Sequence, residues 1–323
     1  MKSSPAKILV LATGGSIAQT SPTDPTLLGD DLVDAIPELR NMASILVEQI
    51  VQISSSNISV EVWLKLASRI NNALAEDDIQ GVVVTHGTDT LEETAYFLNL
   101  VVESEKPVVV VGAMRRPYSL GADGSANLSN AVAIACNPNA KGKGVLVTLN
   151  SEIHSARDVT KTTSNLDAFK APGLGPLGYV RAGKPLFYRM PTRMHTSASK
   201  LHFSNSSLPR VAILYSYAGV TPDIFEATTA SGYDGVVWAG TGNGNLPKPL
   251  RVAAGEAVKQ GLVFVRASRV NFVVVERNDE VDDDTLGFVT ADSLNPQKAR
   301  ILLMLALTKT TDPAKIQEFF DTH

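Results

Sequence analysis

The chain has 323 residues and a net charge of −4 at neutral pH, with the apolar and charged fractions of an ordinary globular protein. It shows no stripe of clustered Lys and Arg, which argues against nucleic-acid binding, and its single cysteine excludes an intrachain disulfide. No apolar run approaches the ~20 residues that span a bilayer, and the length allows two domains or one large α/β domain.

The chain begins with a polar segment, residues 1–7, that lacks the apolar core of a signal peptide. This predicts a cytoplasmic protein, although a periplasmic protein whose signal peptide was removed would look the same. Residues 8–12 form an apolar run that predicts a buried strand, and Thr13 follows directly before two glycines. A polar loop over 19–25 and a short helix over 31–36 come next.

A second strand–helix unit follows. Residues 45–53 predict a strand that ends in the polar segment 54–57, and a helix begins near Ser59. The helix carries one apolar stripe at helical spacing, formed by Trp63, Ala67, Ile70 and Leu74.

The most informative stretch is the next strand and the turn after it. Residues 82–85 are β-branched and predict a buried strand, which a glycine turn connects to Thr88, Asp89 and a helix. Thr90 and Glu93 fit the capping-box pattern at the start of that helix. Thr88 and Asp89 are therefore expected at the carboxyl end of a parallel strand, the edge of an α/β sheet where ligands bind.

Strands over 107–112 and 144–149 flank a predicted helix that begins near Asn127. Alternation of this kind predicts an α/β fold with a parallel sheet and helices on both faces. The pattern breaks after residue 150, and 173–183 looks like hairpins. We predict a larger domain over 1–190, a linker over 191–209 and a smaller α/β domain over 210–323.

The smaller domain shows the same strand–helix rhythm, with an acidic loop over 278–284 and a strong last helix over 296–308. Its other predicted elements are strands over 211–217, 235–238 and 262–265 and helices over 223–229 and 251–259.

Two threonines, Thr13 and Thr88, follow predicted parallel strands and can therefore face one crevice. A threonine hydroxyl is a poor nucleophile until a base removes its proton. Lys161 is the candidate base, because a desolvated lysine held by a carboxylate can lose its proton. A Thr88–Lys161–Asp89 group would be a charge-balanced triad, although most lysines in such loops are merely solvated.

None of the five histidines is placed like the base of a triad. His86 directly precedes a turn glycine, which predicts a structural role. His154, His195 and His202 fall in predicted loops or the linker, and His323 is the last residue, so we expect each of them to be solvated.

No group of Cys, His and carboxylates has metal-ligand spacing, so we expect neither a metal nor a cofactor. The consecutive carboxylates 282–284 diverge and predict a solvated acidic face. Residues 13–16 do not match the dinucleotide fingerprint, and no Gly-Lys-Ser/Thr follows a glycine loop. The glycine-rich segment 240–245 comes closer, and a phosphate site there remains an alternative.

Two long motifs stand out, Thr-Gly-Gly-Ser-Ile-Ala at residues 13–18 and Thr-His-Gly-Thr-Asp-Thr-Leu-Glu-Glu-Thr-Ala at residues 85–95. They resemble the first and second signatures of one family, the bacterial L-asparaginases and glutaminase-asparaginases. Shorter similar segments follow in the family's order over nearly the whole chain, at 112–115, 122–124, 127–128, 144–147, 157–161, 175–178, 242–245, 280–283 and 294–300.

The resemblance implies a hydrolase that releases ammonia from the side-chain amide of L-asparagine, with L-glutamine as a second candidate substrate. Thr13 would be the nucleophile that forms an acyl-enzyme. Thr88, Lys161 and Asp89 would form a second catalytic group that activates the nucleophile or a water molecule.

The resemblance also implies how the substrate is held. Ser55 would bind the α-carboxylate, and Asp89 would bind the α-ammonium together with Glu280 from a neighbouring subunit. Asn245 and Ser268 fall where the family supports this shared site. Members are usually homotetramers of two intimate dimers, so a homo-oligomer without nucleic-acid or membrane partners is expected.

Amide hydrolysis also needs donors for the oxyanion, and backbone N–H groups near Thr88 and Ala113 are the candidates. Three features depart from the family pattern. Residues 19–33 contain no tyrosine, although the family commonly has one in its lid, and Ser56-Asn57 stands where many relatives have Gln-Asp or a Glu. The single cysteine also forbids the disulfide found in many secreted relatives.

Two other functions remain open. The missing lid tyrosine would suit an amino-acid-binding module with a degenerate site. The amidase subunit of a tRNA-dependent amidotransferase also resembles this family, but the sequence shows neither an extra domain nor a basic surface.

Overall fold

The computed structural model describes residues 5–19, 27–202 and 207–323. Its contacts divide the chain into two compact units, Met1–Ser199 and Lys200–His323. The domain and linker limits predicted from the sequence stay a prediction. Except for Gln19, the loop predicted over 19–25 lies outside the described residues.

The strands of the first unit form one large sheet and one small ribbon. They are β1 (Lys7–Ala12), β2 (Ser44–Gln49), β3 (Ile79–Thr85), β4 (Val108–Val111), β5 (Val145–Leu149), β6 (Glu152–Ser155), β7 (Thr160–Lys161), β8 (Phe169–Lys170), β9 (Gly178–Arg181) and β10 (Lys184–Phe187). The large sheet has the order β10-β9-β6-β5-β4-β3-β1-β2, and β7 pairs with β8 in the ribbon.

The five strands β1 to β5 run parallel. Strands β6, β9 and β10 extend the sheet beyond β5, and each pairs with its neighbour in antiparallel fashion. The α/β class is therefore confirmed, and the sheet is mostly parallel rather than wholly so. A tight turn at residues 150–151 reverses the chain between β5 and β6, and the sequence pattern did not indicate it.

The helices of this unit are α1 (Gly29–Asp34), α2 (Glu38–Met42), α3 (Val60–Ala75), α4 (Leu91–Val101) and α5 (Gly124–Ala135). Because side chains of a strand alternate between faces, Val83 and Val109 join α1, α2 and α5 in one core cluster. Helices α3 and α4 contact each other and pack on β3 and β5. The two groups of helices thus cover both faces of the sheet, as predicted.

Two details of the predicted elements are wrong. Strand β2 ends at Gln49 instead of continuing to residue 53, because Gln49 pairs with Ala12, the last residue of the neighbouring strand β1. Thr90 begins α4 without a capping bond, because its hydroxyl donates to the carbonyl of Ser55 at 2.7 Å. The capping box at this helix is therefore absent.

The second unit is a four-stranded parallel sheet in the order β11-β12-β13-β14 with helices on both faces. Its elements are β11 (Val211–Tyr215), α6 (Asp223–Ala230), β12 (Gly235–Gly240), α7 (Lys248–Lys259), β13 (Val263–Ser268), α8 (Asp283–Leu286), β14 (Val289–Thr290), α9 (Pro296–Ala306) and α10 (Pro313–Thr322). Phe264 packs edge-on against Phe225, with ring centroids 5.8 Å apart. Elements α8, β14 and α10 were not predicted.

Both units follow the fold predicted from the strand–helix pattern of the sequence, a larger α/β unit and a smaller one. Within the described ranges, none of the helices combines the length and the apolar character that a bilayer-spanning helix requires.

Candidate active site

The turns that follow β1 and β3 are in direct contact. Strands β1 and β3 are neighbours, and Ala12 pairs with Thr85 at their carboxyl ends. A Cβ added to Gly15 would lie 2.4 Å from the Cα of Gly87, so only glycine allows these two turns to approach so closely. The contact brings the residues after each strand, Thr13 and Thr88, to one edge of the sheet.

Thr13 is buried at this edge, with 1% of its surface exposed. Its hydroxyl donates to the Thr85 carbonyl at 2.8 Å, and its backbone N–H donates to the same oxygen at 3.2 Å. Among the residues that the structure describes, no hydrogen bond joins Thr13 to Thr88, Asp89 or Lys161. The Thr13 hydroxyl therefore rests on the main chain of the neighbouring strand.

Thr88, Asp89 and Lys161 form one hydrogen-bonded group. The Lys161 Nζ donates to Thr88 Oγ1 at 2.9 Å and to Asp89 Oδ1 at 2.8 Å. Thr88 is buried, whereas 64% of the Asp89 side chain is exposed, so the group has one buried and one open end. An ion pair this exposed adds little stability. The feature of this group that matters for chemistry is the Lys161 ammonium, which is held beside the Thr88 hydroxyl.

Ser55 is the residue that joins the turn after β2 to this group. It is buried, and its Oγ accepts the backbone N–H of Asp89 at 3.1 Å. Its carbonyl accepts the hydroxyl of Thr90, so both ends of Ser55 hold the start of α4. A Cβ on Gly87 would meet the Ser55 Oγ at 2.7 Å, which again requires glycine in this turn.

The turn after β4 carries Ala113, which is 2% exposed. Asp123 shapes this turn, because its two carboxylate oxygens accept the N–H groups of Met114 at 3.0 Å and Arg115 at 2.8 Å. The Asn127 side chain donates to the Gly112 carbonyl at 3.0 Å. These bonds explain why the segment after β4 keeps a defined turn beside Thr88.

A cavity of about 360 Å³ opens at this edge of the sheet. Thr88, Asp89 and Ser55 line it, while Thr13 does not, and Arg116 adds a cation to the lining. Its other lining residues are Gly15, Gln19, Gln52, Ile53, Ser54 and Gly87. The cavity is polar and has the size of a small-ligand site.

Glu92 also contacts the group, although the sequence did not single it out. It is buried in the first turn of α4, and its Oε2 accepts the backbone N–H of Lys161 at 2.6 Å. The sequence shows only an acidic residue in the first turn of a predicted helix. Such residues are common because they interact favourably with the helix dipole, so this one did not indicate a site. The pairing with Lys161, 69 positions away in the sequence, needed the structure.

His86 is structural, as predicted. It is fully buried, its Nδ1 lies 2.6 Å from the Gly87 carbonyl and its Nε2 lies 2.8 Å from Thr94 Oγ1. Burial lowers its pKa to about 4. The ring is therefore neutral at pH 7. It contacts the Gly87 carbonyl of the turn on one side and Thr94 of α4 on the other.

The expectation of solvated histidines is wrong for His154 and His323, which are both buried. His154 lies on β6 and its Nε2 is 3.1 Å from Glu152 Oε2, since the unpredicted strand carries it into the sheet. His323 accepts the backbone N–H of Lys200 at 3.1 Å. Neither is among the residues that line the cavity.

In the second unit, the remaining predicted site residues are Asn245 after β12, Ser268 at the end of β13 and Glu280 in the loop after β13. Asn245 closes a tight turn with Thr241, and its Oδ1 is buried without a hydrogen-bond partner among the described residues. The Ser268 hydroxyl donates to the Gly242 carbonyl at 2.7 Å. Glu280 is exposed.

The acidic face predicted over 282–284 is wrong for Asp283. Asp283 is fully buried and forms a two-pronged ion pair with the equally buried Arg266, at 2.6 and 2.7 Å. The Arg266 guanidinium also donates to the carbonyls of Asn243 and Glu276. One buried pair thus ties together the loops that carry Asn245 and Glu280.

The described residues contain no group of three or more His, Cys, Asp or Glu arranged to hold a metal ion.

Comparison with known proteins agrees with this arrangement. Residues 7–193 match the family model "Asparaginase, N-terminal", and residues 210–320 match the "Glutaminase/Asparaginase C-terminal domain". The chain is 49% identical to L-asparaginase 2 of Bacillus subtilis, over 98% of this chain and 86% of that protein. It is 46% identical to a probable periplasmic L-asparaginase of Haemophilus influenzae, over 97% and 92% respectively.

A solved structure is also similar. The crystal structure of a probable cytoplasmic L-asparaginase from Campylobacter jejuni superposes with a TM-score of 0.94, at 48% identity over 98% of this chain and all of that one. The match covers both units, and the signatures at the two touching turns fall inside the first family model. The resemblance seen in the sequence is thereby confirmed, and this chain belongs to the asparaginase family.

Proposed function

We propose that the protein is an L-asparagine amidohydrolase, which converts L-asparagine and water to L-aspartate and ammonia. Named relatives of this chain are L-asparaginases, and the second family model includes glutaminases. We therefore include L-glutamine as a slower second substrate.

The observation that carries the proposal is the pair of bonds from Lys161 Nζ to Thr88 Oγ1 and Asp89 Oδ1. A lysine placed between a hydroxyl and a carboxylate can exchange a proton with the hydroxyl while the carboxylate balances its charge. Thr88 also lines the cavity, so the proton can pass to or from a bound amide.

In the proposed reaction, Thr13 Oγ attacks the side-chain carbonyl carbon of the substrate. The C–N bond breaks, ammonia leaves with the proton taken from Thr13, and an ester to Thr13 remains. Water, activated by the Thr88–Lys161–Asp89 group, then hydrolyses the ester. To act this way, the Thr13 hydroxyl must turn from the Thr85 carbonyl toward the bound substrate.

Substrate binding follows the charges at the cavity. Ser55 would hold the α-carboxylate and the exposed Asp89 carboxylate would hold the α-ammonium, so that each charged group on the substrate's Cα meets a complementary partner. Backbone N–H groups beside Thr88 and Ala113 are the proposed oxyanion donors. Each such donor lowers the barrier by roughly 3 kcal/mol in comparable sites.

The second unit would complete the site of a neighbouring subunit. Glu280 would bind the substrate's α-ammonium together with Asp89 of the neighbouring subunit, and Asn245 and Ser268 would support this shared site. The assembly would be a homotetramer of two dimers. The exposure of Glu280 leaves its carboxylate available for such a contact. We also propose a cytoplasmic location, which the name of the Campylobacter jejuni structure shares and that of the Haemophilus influenzae relative does not.

The direct test is ammonia release from L-asparagine and L-glutamine by the wild type, Thr13→Ala and Thr88→Val. Both variants should lose turnover, while Thr229→Ala, a change on α6 far along the chain, should keep it. An active Thr13→Ala protein would remove Thr13 from the mechanism. A wild type that releases no ammonia from either amino acid would refute the proposed function.

A second candidate is an amino-acid-binding module with a degenerate site. Two observations favour it: residues 19–33 lack a tyrosine, and the Thr13 hydroxyl is bonded to the Thr85 carbonyl. Calorimetry that shows aspartate binding without ammonia release would support this alternative.

A further inference from the structure

Glu92 is a buried carboxylate that the proposed reaction does not use directly. It is the second residue of α4 and only 4% exposed. A buried carboxylate destabilises a fold unless hydrogen bonds and nearby positive charge or dipoles compensate it. Here the start of the helix provides a favourable dipole, and the backbone N–H of Lys161 donates to Glu92 Oε2 at 2.6 Å.

The Lys161 N–H needs such a partner because, among the described residues, β7 belongs to a two-stranded ribbon and this N–H lies on the edge of β7 that does not face β8. On one side β7 pairs with β8, where Lys161 lies opposite the buried Phe169 and Thr162 N–H donates to the Ala168 carbonyl at 2.7 Å. The Lys161 N–H is instead directed to Glu92 on α4. Strand β7 is therefore held by β8 on one edge and by α4 on the other.

Thr88 and Asp89 are attached to the same helix, since they directly precede Thr90 and the start of α4. Glu92 consequently links the two halves of the group: the chain that carries Thr88 and Asp89, and the chain that carries Lys161. We infer that Glu92 is a positioning residue that sets the place of the Lys161 ammonium relative to Thr88 and Asp89. This inference deepens the proposed function and rests on it for its kinetic consequences.

The kinetic test compares Glu92→Ala with Glu92→Gln. The alanine variant loses the acceptor for the Lys161 N–H, and we expect kcat for L-asparagine to fall roughly 10- to 100-fold with little change in KM, because a small misplacement of a catalytic group is costly. The glutamine variant keeps a carbonyl oxygen at the same place and should retain kcat within a few-fold. Equal losses in both variants would refute the positioning role.

Glu61→Ala is a matched control, since Glu61 is also the second residue of its helix, α3, but is exposed. It should leave kcat unchanged. A double-mutant cycle adds a readout that a general loss of stability would not produce. In a Lys161→Met background, Glu92→Ala should cause no further loss of kcat, whereas a multiplicative loss would show that Glu92 does not act through Lys161.

Crystal structures of the two Glu92 variants decide the question independently of turnover. We expect the separation of Lys161 Nζ and Thr88 Oγ1, 2.9 Å in the wild type, to exceed about 3.5 Å in Glu92→Ala and to be kept in Glu92→Gln. An unchanged separation in Glu92→Ala would overturn the inference. A changed separation in a protein that releases no ammonia would leave Glu92 as a positioning residue and refute only the proposed function.

Discussion

Gly15 and Gly87 lie so close together that a Cβ on Gly15 would be 2.4 Å from the Gly87 Cα. A Cβ on Gly87 would in turn meet the Ser55 Oγ at 2.7 Å. The turns after β1, β2 and β3 are therefore in close contact. Any change that pushes them apart must also move Thr13, Ser55 or Thr88. The glycines of the two signatures are needed because backbone packs on backbone at this edge.

Gly15→Ala should damage both stability and activity. Gly15 has φ +86°, where an L-residue is strained by about 1–2 kcal/mol, and the added methyl group must also push the turn after β3 away. We expect urea unfolding to show a loss of more than about 2 kcal/mol, and ammonia release to fall with it.

Gly183→Ala is the control, because Gly183 has a similar φ of +72° but open space around the position of its Cβ. It should lose only about 1–2 kcal/mol, the cost of the backbone strain alone, and keep full turnover. If the two variants lost equal stability and both kept activity, the contact between the turns would not matter to the site.

The sequence predicted most of this site because the residues that carry it follow strand ends. An apolar run identified β1 and runs rich in valine identified β3 and β4, and parallel strands bring their carboxyl ends to one edge. The sequence alone therefore predicts that Thr13 and Thr88 lie near each other. The long signature around Thr88 and Asp89 then indicated the family, which the comparisons confirm.

Contacts between distant short elements could not be predicted. Strand β7 has two residues and no periodicity, so the position of Lys161 beside Glu92 is decided by the tertiary fold. The carboxylate run at 282–284 looked solvated, because only the fold shows that Arg266 reaches Asp283. In the same way, the sequence does not show that the Thr90 hydroxyl donates to the Ser55 carbonyl instead of capping its own helix.

Lys161→Arg should separate the charge of this residue from its ability to release a proton. Arginine can still pair with Asp89, but its guanidinium does not lose a proton in proteins. We expect kcat for L-asparagine to fall about 100-fold or more, as when a general base is removed. Lys65→Arg, a lysine on α3 that donates to the Ile50 carbonyl, serves as the matched control. A Lys161→Arg enzyme that keeps more than about a tenth of kcat would show that proton exchange at Lys161 is not required.

Asp283→Asn should strongly destabilise the second unit. The change leaves the buried Arg266 guanidinium without its counter-charge, and breaking a buried pair in this way costs about 3–5 kcal/mol. The neighbouring change Asp284→Asn alters an exposed pair with Arg277 and should have little effect. Urea unfolding of both variants tests this, and a similar small loss in each would mean that the Arg266–Asp283 pair is not an important stabilising contact.

The buried His86 should make the stability of the protein depend on pH below neutrality. Its Nδ1–H donates to the Gly87 carbonyl, so Nε2 accepts from the Thr94 hydroxyl, which in turn accepts the indole N–H of Trp63. This chain of bonds suits a neutral ring, in agreement with the pKa of about 4 that burial produces. A second proton would reverse the bond to Thr94 inside the core.

The unfolded chain takes up this proton near pH 6.5, whereas the folded protein does so only near pH 4. The contribution of His86 is therefore complete above pH 6.5 and is lost as the pH falls to 4, by about 3 kcal/mol. Urea unfolding at pH 7 and pH 4 should show this loss in the wild type, in addition to the loss from carboxylates. His86→Gln, which keeps a neutral side chain with a donor and an acceptor, should show a smaller pH dependence by about that amount. An equal dependence in both proteins would mean that His86 binds its proton as readily in the folded state as in the unfolded one.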